Sequence, residues 1–110
     1  MTRGEVWWAI VDERRPVLVL HAGENDVRAM MIVPPAPTIE GVTEDVRLGA
    51  AEGLPTEGVL RVALPRDGFI PCQWLVTLSK ADLIDRAGAL SVEKLDHVER
   101  VLRRAGLDAD

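Results

Sequence analysis

The residues of this chain best suited to chemistry are its arginines. Eleven of the 13 cationic side chains are Arg, and only Lys80 and Lys94 are Lys. Arginine presents a rigid planar fork of donors that matches a phosphate, whereas lysine acts as a mobile point charge. Arg3, Arg14, Arg15 and Arg28 all fall in the first three expected strands or their connections. Three tryptophans, Trp7, Trp8 and Trp74, offer flat faces of the kind on which unpaired bases stack. Strand alternation sends Trp7 and Trp8 to opposite faces, so one is expected in the core and the other outside it. Core packing is the favoured reading for each tryptophan, because large aromatics dominate small cores. The net charge of −5 argues against broad electrostatic attraction to nucleic acid, which needs clustered cations. Any phosphate chemistry must therefore come from one local site.

Other reactive residues carry less. The single Cys72 cannot form an internal disulfide and reads as a small core residue. One Cys and two scattered His give no zinc spacing, and no cofactor is expected. His21 shares a strand parity with Arg15, but six residues at about 3.3 Å each put them roughly 20 Å apart. That is too far to serve one phosphate, and His21 reads as a strand-end residue with a local hydrogen bond. His97, on the polar side of a helix, is assigned no role.

The 110 residues suit one domain, 1–110, and a hydrophobic content of 47% excludes wholesale disorder. No apolar run approaches the roughly 18 residues of a membrane span, and the opening residues lack a secretory pattern. A cytoplasmic protein is expected. Glu5–Val11 is rich in strand formers, and Asp12-Glu13-Arg14-Arg15 interrupts the apolar sequence. Pro16–His21 has no polar face along its bulky residues and reads as a strand buried on both sides. Its leading proline sits where no ladder donor is needed. Arg28–Val33 is a third strand, ended by the proline cluster at 34–37. Val42–Leu48, Val59–Leu64 and Phe69–Leu78 follow as strands. Ser79 with Asp82 resembles a capping box, which predicts a short helix failing near Gly88. Ser91 to Ala105 predicts an amphipathic helix with Leu95, Val98, Leu102 and Ala105 on its buried stripe. The fold class is mainly β, a small strongly curved antiparallel sheet or barrel with a C-terminal helix.

Several pieces then match one family in order. Arg3-Gly4-Glu5-Val6-Trp7-Trp8 and Arg15-Pro16-Val17-Leu18-Val19-Leu20 resemble the opening of the MazF/PemK toxin ribonucleases. Ile32-Val33-Pro34-Pro35, Glu52-Gly53-Leu54-Pro55, Cys72-Gln73 and Leu78-Ser79-Lys80-Ala81-Asp82-Leu83 continue the resemblance, and Gly88-Ala89-Leu90-Ser91 before the helix completes it. The resemblance implies an SH3-like, CcdB-type barrel, usually a homodimer. It implies metal-independent, sequence-selective cleavage of single-stranded RNA, and an acidic antitoxin of the MazE type as partner. Arg15 stands where the family places its catalytic arginine.

That role suits the chemistry. RNA is cut without a metal when its own 2′-hydroxyl attacks the adjacent phosphate, building charge on the phosphorane oxygens. A fixed guanidinium stabilises that charge, but is a poor general base. Arg3, Arg14, Arg28 and Trp8 are the candidate RNA contacts, with the four arginines expected to frame one groove and the helix's acidic residues facing solvent elsewhere. The chain departs from the family pattern at its third strand, which usually ends Pro-x-Thr with the hydroxyl aimed at the phosphate. Here Thr38 comes one residue late, and a bend at the prolines is needed to bring it into the catalytic position. The link Asp12–Arg14 is also shorter than the family loop, and Val62 to Ile70 reads as an extra turn of hairpin. Two alternatives share the fold: a CcdB-like toxin that poisons a protein such as gyrase, and a degenerate member that only binds an antitoxin.

Overall fold

A computed structural model describes residues 1–35, 43–63 and 75–106. Among these residues seven strands and one α-helix run in the order β1 (Glu5–Val11), β2 (Glu13–Ala22), β3 (Asp26–Met31), β4 (Thr43–Leu48), β5 (Gly58–Ala63), β6 (Leu75–Ser79), β7 (Leu83–Ala89) and α1 (Val92–Arg104). The strands form an antiparallel sheet of order β6-β3-β2-β1-β7 and a two-stranded β4-β5 ribbon. An isolated bridge, Val33 to Val59, ties the ribbon to the end of β3. Chain and fold class agree with a mainly β protein closed by a C-terminal helix. Thr38, Cys72 and Trp74 lie outside the described residues, as do the 36–42 and 64–74 segments to which the proline bend and the extra hairpin turn belong.

Side chains on the two faces of β2 enter different cores. Val17 to Leu20 are all buried, as a run without polar residues in the central strand requires. Leu18 and Leu20 join Val6, Met30, Val46, Leu60, Val98 and Leu102 between sheet, ribbon and helix. Val17 and Val19 join Ala9, Val27, Ala29 and Leu78 on the other face, with Trp7 and Val76 packed at the rim. Strand β2 starts earlier than its apolar run, at Glu13, because the turn is tighter than expected. Val11 pairs with Glu13, leaving only Asp12 at the tip with φ 66°. Aspartate tolerates that left-handed conformation better than most residues. Arg14 and Arg15 are thereby held in the ladder opposite Ile10 and Ala9 rather than in a loop. The carbonyl of Pro16 accepts from Ile32 N at 3.0 Å, so its nitrogen faces the point where β3 has ended. Proline has no hydrogen with which to return that bond to Ile32, and the pairing of β2 with β3 stops there.

The expected helix after Ser79 is corrected. Asp82 does accept from Ser79 N at 3.2 Å, but the box closes only the 3₁₀ turn Lys80–Asp82. The residues beyond it form β7, which covers the otherwise open edge of β1. Helix α1 forms where expected, although Leu95 is only half-buried. Ser91 Oγ accepts from Lys94 N at 3.1 Å, Gly106 ends the helix at φ 77°, and Val101 joins the buried stripe.

Glu5 anchors the β1–β7 edge. Its Oε1 accepts from Trp7 Nε1 at 3.0 Å and Thr2 N at 3.1 Å, and its Oε2 from Arg86 Nε at 3.1 Å. The Trp7 indole, with the Thr2 amide and Arg86 helping against partial burial, holds the Glu5 carboxyl below its ordinary range. A depressed native pKa adds stability above the unfolded value, about 4.3, that is lost as pH falls through the lower native one. Wild type is expected to melt above Glu5→Gln at pH 7, with the gap closing under strong acid. Equal melting temperatures at pH 7 would contradict this.

Candidate nucleic-acid interface

A cleft of about 250 Å³ opens at the β1–β2 tip. One wall is Trp8 and the segment Glu13–Pro16, the floor is Ile32–Pro34, and the far wall is the segment Leu54–Gly58. Each part is fixed by backbone. Ile32 N bonds Pro16 O, and Val33 and Val59 exchange bonds of 2.9 and 2.8 Å. These place the residues after β3 between the hairpin and the start of β5. Gly58 lies close against Ile32, where a Cβ would come within 2.6 Å of Ile32 Cγ2.

The far wall hangs from a 3₁₀ turn, Ala50–Glu52. Glu52 is 4% exposed and is the one buried charged residue among those described. Its Oε1 accepts from Gly49 N at 2.6 Å and its Oε2 from Lys94 Nζ at 3.2 Å. Lys94 Nζ also donates to Arg47 O at 3.0 Å, so one ammonium ties α1 to the end of β4 and to the turn. Gly53 follows at φ 88°. A Cβ there would meet the Ala87 carbonyl, and a Cβ on Gly88 would meet the Glu52 carbonyl. Two glycines thus let the turn and β7 touch backbone to backbone, which sets where Leu54–Gly58 begins.

Within the cleft, the pleat separates the two adjacent arginines. Arg14 stacks its guanidinium 4.9 Å from the Trp8 ring centroid and reaches Asp85 of β7 at 3.7 Å. Arg15 lies on the alternate side of β2. Its Nε donates to Val11 O at 3.2 Å and its NH2 pairs with Glu13 Oε1 at 3.0 Å. The Arg15 side chain is 37% exposed and that of Glu13 70%. Exposed pairs of this type contribute little net energy, so an anion can take Glu13's place at the guanidinium. Across the cleft stand Thr56 and Glu57, the latter paired with Arg47 at 2.7 Å.

The four arginines do not frame one groove, and that expectation is corrected. Arg3 pairs with Glu99 at 3.0 Å and lines a recess beside His21, while Arg28 lines another with Val76 and Thr77. The cause is the ladder. Arg28 is opposite His21, and Gly4 N bonds Val19 O, so both arginines sit at the end of β2 away from Arg15. Six strand residues span roughly 20 Å. The tryptophans are also corrected in part. Neither Trp7 nor Trp8 is fully buried: Trp7 packs at a core rim and Trp8 borders the cleft. On α1, His97, Arg100, Arg103 and Arg104 gather near the C-terminal end. Cations there suit the helix dipole, and Glu44 of β4 pairs with Arg104 at 2.6 Å. Sequence reading missed Thr56 and Glu57, whose only signal was their place just after Gly53-Leu54-Pro55. It also missed Glu13, two positions from Arg15 and hence on the same side of a strand.

A family model described as PemK-like, MazF-like toxin of type II toxin–antitoxin system matches residues 2–105. Endoribonuclease MazF2 of Mycobacterium bovis is 30% identical over 112 residues, covering 94% of this chain and 95% of that protein. Endoribonuclease MazF6 of Mycobacterium tuberculosis gives the same identity and coverage. Among solved structures, Mycobacterium tuberculosis toxin MazF-mt6 superposes with a TM-score of 0.64 at 21% identity, covering 94% of this chain and 98% of that one. A mycobacterial endoribonuclease solved in complex with its cognate antitoxin also gives 0.64, at 20% identity, covering 97% and 94%. Both structural matches establish the fold.

Proposed function

The chain belongs to the PemK-like, MazF-like toxins of type II toxin–antitoxin systems, and we propose that it is an endoribonuclease that cuts single-stranded RNA without a metal. The convergence of Arg14, Arg15 and Trp8 on one cleft carries this reading. A phosphate at Arg15 displaces the Glu13 carboxylate and receives the guanidinium's paired donors. As the 2′-hydroxyl attacks, negative charge grows on the non-bridging oxygens where those donors already point. Trp8, with Arg14 over its ring, offers the neighbouring base a stacking surface. Sequence selectivity arises from how bases fit between that platform and the Leu54–Gly58 wall. Thr38 is assigned the hydroxyl that supports the phosphate. Arg3 and Arg28 lie outside this cleft and contact only RNA extending well beyond the scissile step.

The partner is an acidic antitoxin segment of the MazE type, and the cleft is where it competes. Carboxylates already occupy every arginine here, Glu13 on Arg15 and Asp85 on Arg14, so the site accepts acidic side chains as it accepts phosphate. A flexible acidic tail orders on binding and blocks the cleft. The chain forms a homodimer, in which the outer strands β6 and β7 of the described sheet are candidates for pairing, and light scattering is expected to give twice the 12.1 kDa of one chain.

Competition tests the shared cleft. A short RNA with its 2′-hydroxyls replaced is expected to displace a bound acidic peptide, and both affinities should fall as salt rises. Simultaneous binding of the two, or affinities unchanged by Arg15→Ala, would overturn it.

A further inference from the structure

Cleavage by the 2′-hydroxyl needs a group to take its proton, and arginine does this poorly. The cleft narrows the choice. Of its described lining residues, Glu13 and Glu57 are the only ones whose side chains are bases able to take a proton from a hydroxyl. His21 lines a recess beside Arg3, and His97 lies on α1. Glu57 stands on the far wall and is held by Arg47 at 2.7 Å. Glu13 alone touches the guanidinium that receives the phosphate, at 3.0 Å.

We propose that the Glu13 carboxylate is the general base of the cleavage, resting on the ribonuclease reading above. Alternation places Glu13 and Arg15 on one side of β2, so a phosphate at Arg15 lies within a side chain's reach of both. Phosphate displaces the carboxylate from the guanidinium, but Glu13, two residues from Arg15 on the same side of the strand, stays within reach of the sugar beside that phosphate. The 2′-oxygen gives its proton to Glu13 and its electron pair to phosphorus. The bond from phosphorus to the 5′-oxygen breaks, and water returns a proton to that leaving oxygen. Glu13 releases its own proton to solvent. The products are a 2′,3′-cyclic phosphate and a 5′-hydroxyl, with no water consumed.

Charged groups around Glu13 are Arg15 beside it, Asp12 at the tip, Arg14 with Asp85 on the other face, and Glu57 opposite. Glu13→Gln keeps the shape and removes the proton acceptor. It is expected to lower kcat by about 100-fold or more. KM for RNA should be unchanged or lower, since a competitor of phosphate has also gone. The acid limb of the kcat–pH profile should flatten in Glu13→Gln and persist, at reduced rate, in Glu13→Asp. If Glu13 merely screens Arg15, Glu13→Gln will instead raise cleavage, and this outcome overturns the proposal. A wild-type acid limb left unchanged in Glu13→Gln overturns it as well. A wild-type chain that cuts no RNA overturns the ribonuclease reading and this proposal together.

Discussion

Replacing Arg15 by alanine is expected to lower RNA cleavage by about 100- to 1,000-fold, the cost of removing one donor set aimed at a developing oxyanion. Folding should barely change. The side chain bonds only to Val11 O and the exposed Glu13, both within its own hairpin, and the ladder between Ala9 and Arg15 is made by backbone. Surface contacts of that kind leave stability within about 0.5 kcal/mol. Arg15→Lys should restore little, because an ammonium cannot present two parallel N–H bonds to a phosphate. Arg14→Ala should cost less and act mainly on KM, since Arg14 faces the Trp8 platform. Single-turnover cleavage of a labelled RNA, alongside thermal melting of each variant, checks all three. Cleavage by Arg15→Ala at the wild-type rate would remove Arg15 from the chemistry.

The second large effect is on the wall that faces it. Gly53→Ala is expected to destabilise the fold by about 3 kcal/mol, combining a left-handed backbone penalty with a forced backbone clash. The added Cβ would meet the Ala87 carbonyl, which cannot swing aside as a side chain tip does, because β7 is paired to β1. Gly88→Ala should behave alike by meeting the Glu52 carbonyl from the other side. At this chain length such a loss lowers Tm by roughly 10–20 °C. Cleavage should fall even well below the melting range, because Leu54–Gly58 starts from this contact. Gly49→Ala is the control: no atom lies within 4 Å of a Cβ there. A Gly53→Ala chain with wild-type Tm and activity would show that the wall is not set by this contact.

Which parts of this architecture were legible in the sequence follows from what each part depends on. Glu5–Val11 is bounded by local chemistry, strand formers running into a charged tip, and its limits match β1. Helix α1 carries its own cap, apolar stripe and glycine stop, all local. Strand β7 was misread as helix because its capping box is real, while the strand itself exists only through pairing with β1, more than 70 residues earlier. The cleft divides in the same way. Arg15 could be singled out from its position before Pro16 and the family resemblance. Thr56 and Glu57 reach the cleft through the Val33–Val59 bridge, a contact that no local pattern announces. Proximity in sequence also misled: Arg3 and Arg28 flank the hairpin in the chain, yet the ladder carries them to its far end.

The most direct measurement is incubation of the purified wild-type chain with single-stranded RNA in EDTA, followed by mapping of the new ends. Cleavage at a restricted set of sites is expected, leaving 2′,3′-cyclic phosphate and 5′-hydroxyl ends and lost in Arg15→Ala. RNA that stays intact in the presence of a correctly folded chain, or cuts that persist undiminished in Arg15→Ala, would contradict the account and favour a toxin that acts on a protein target.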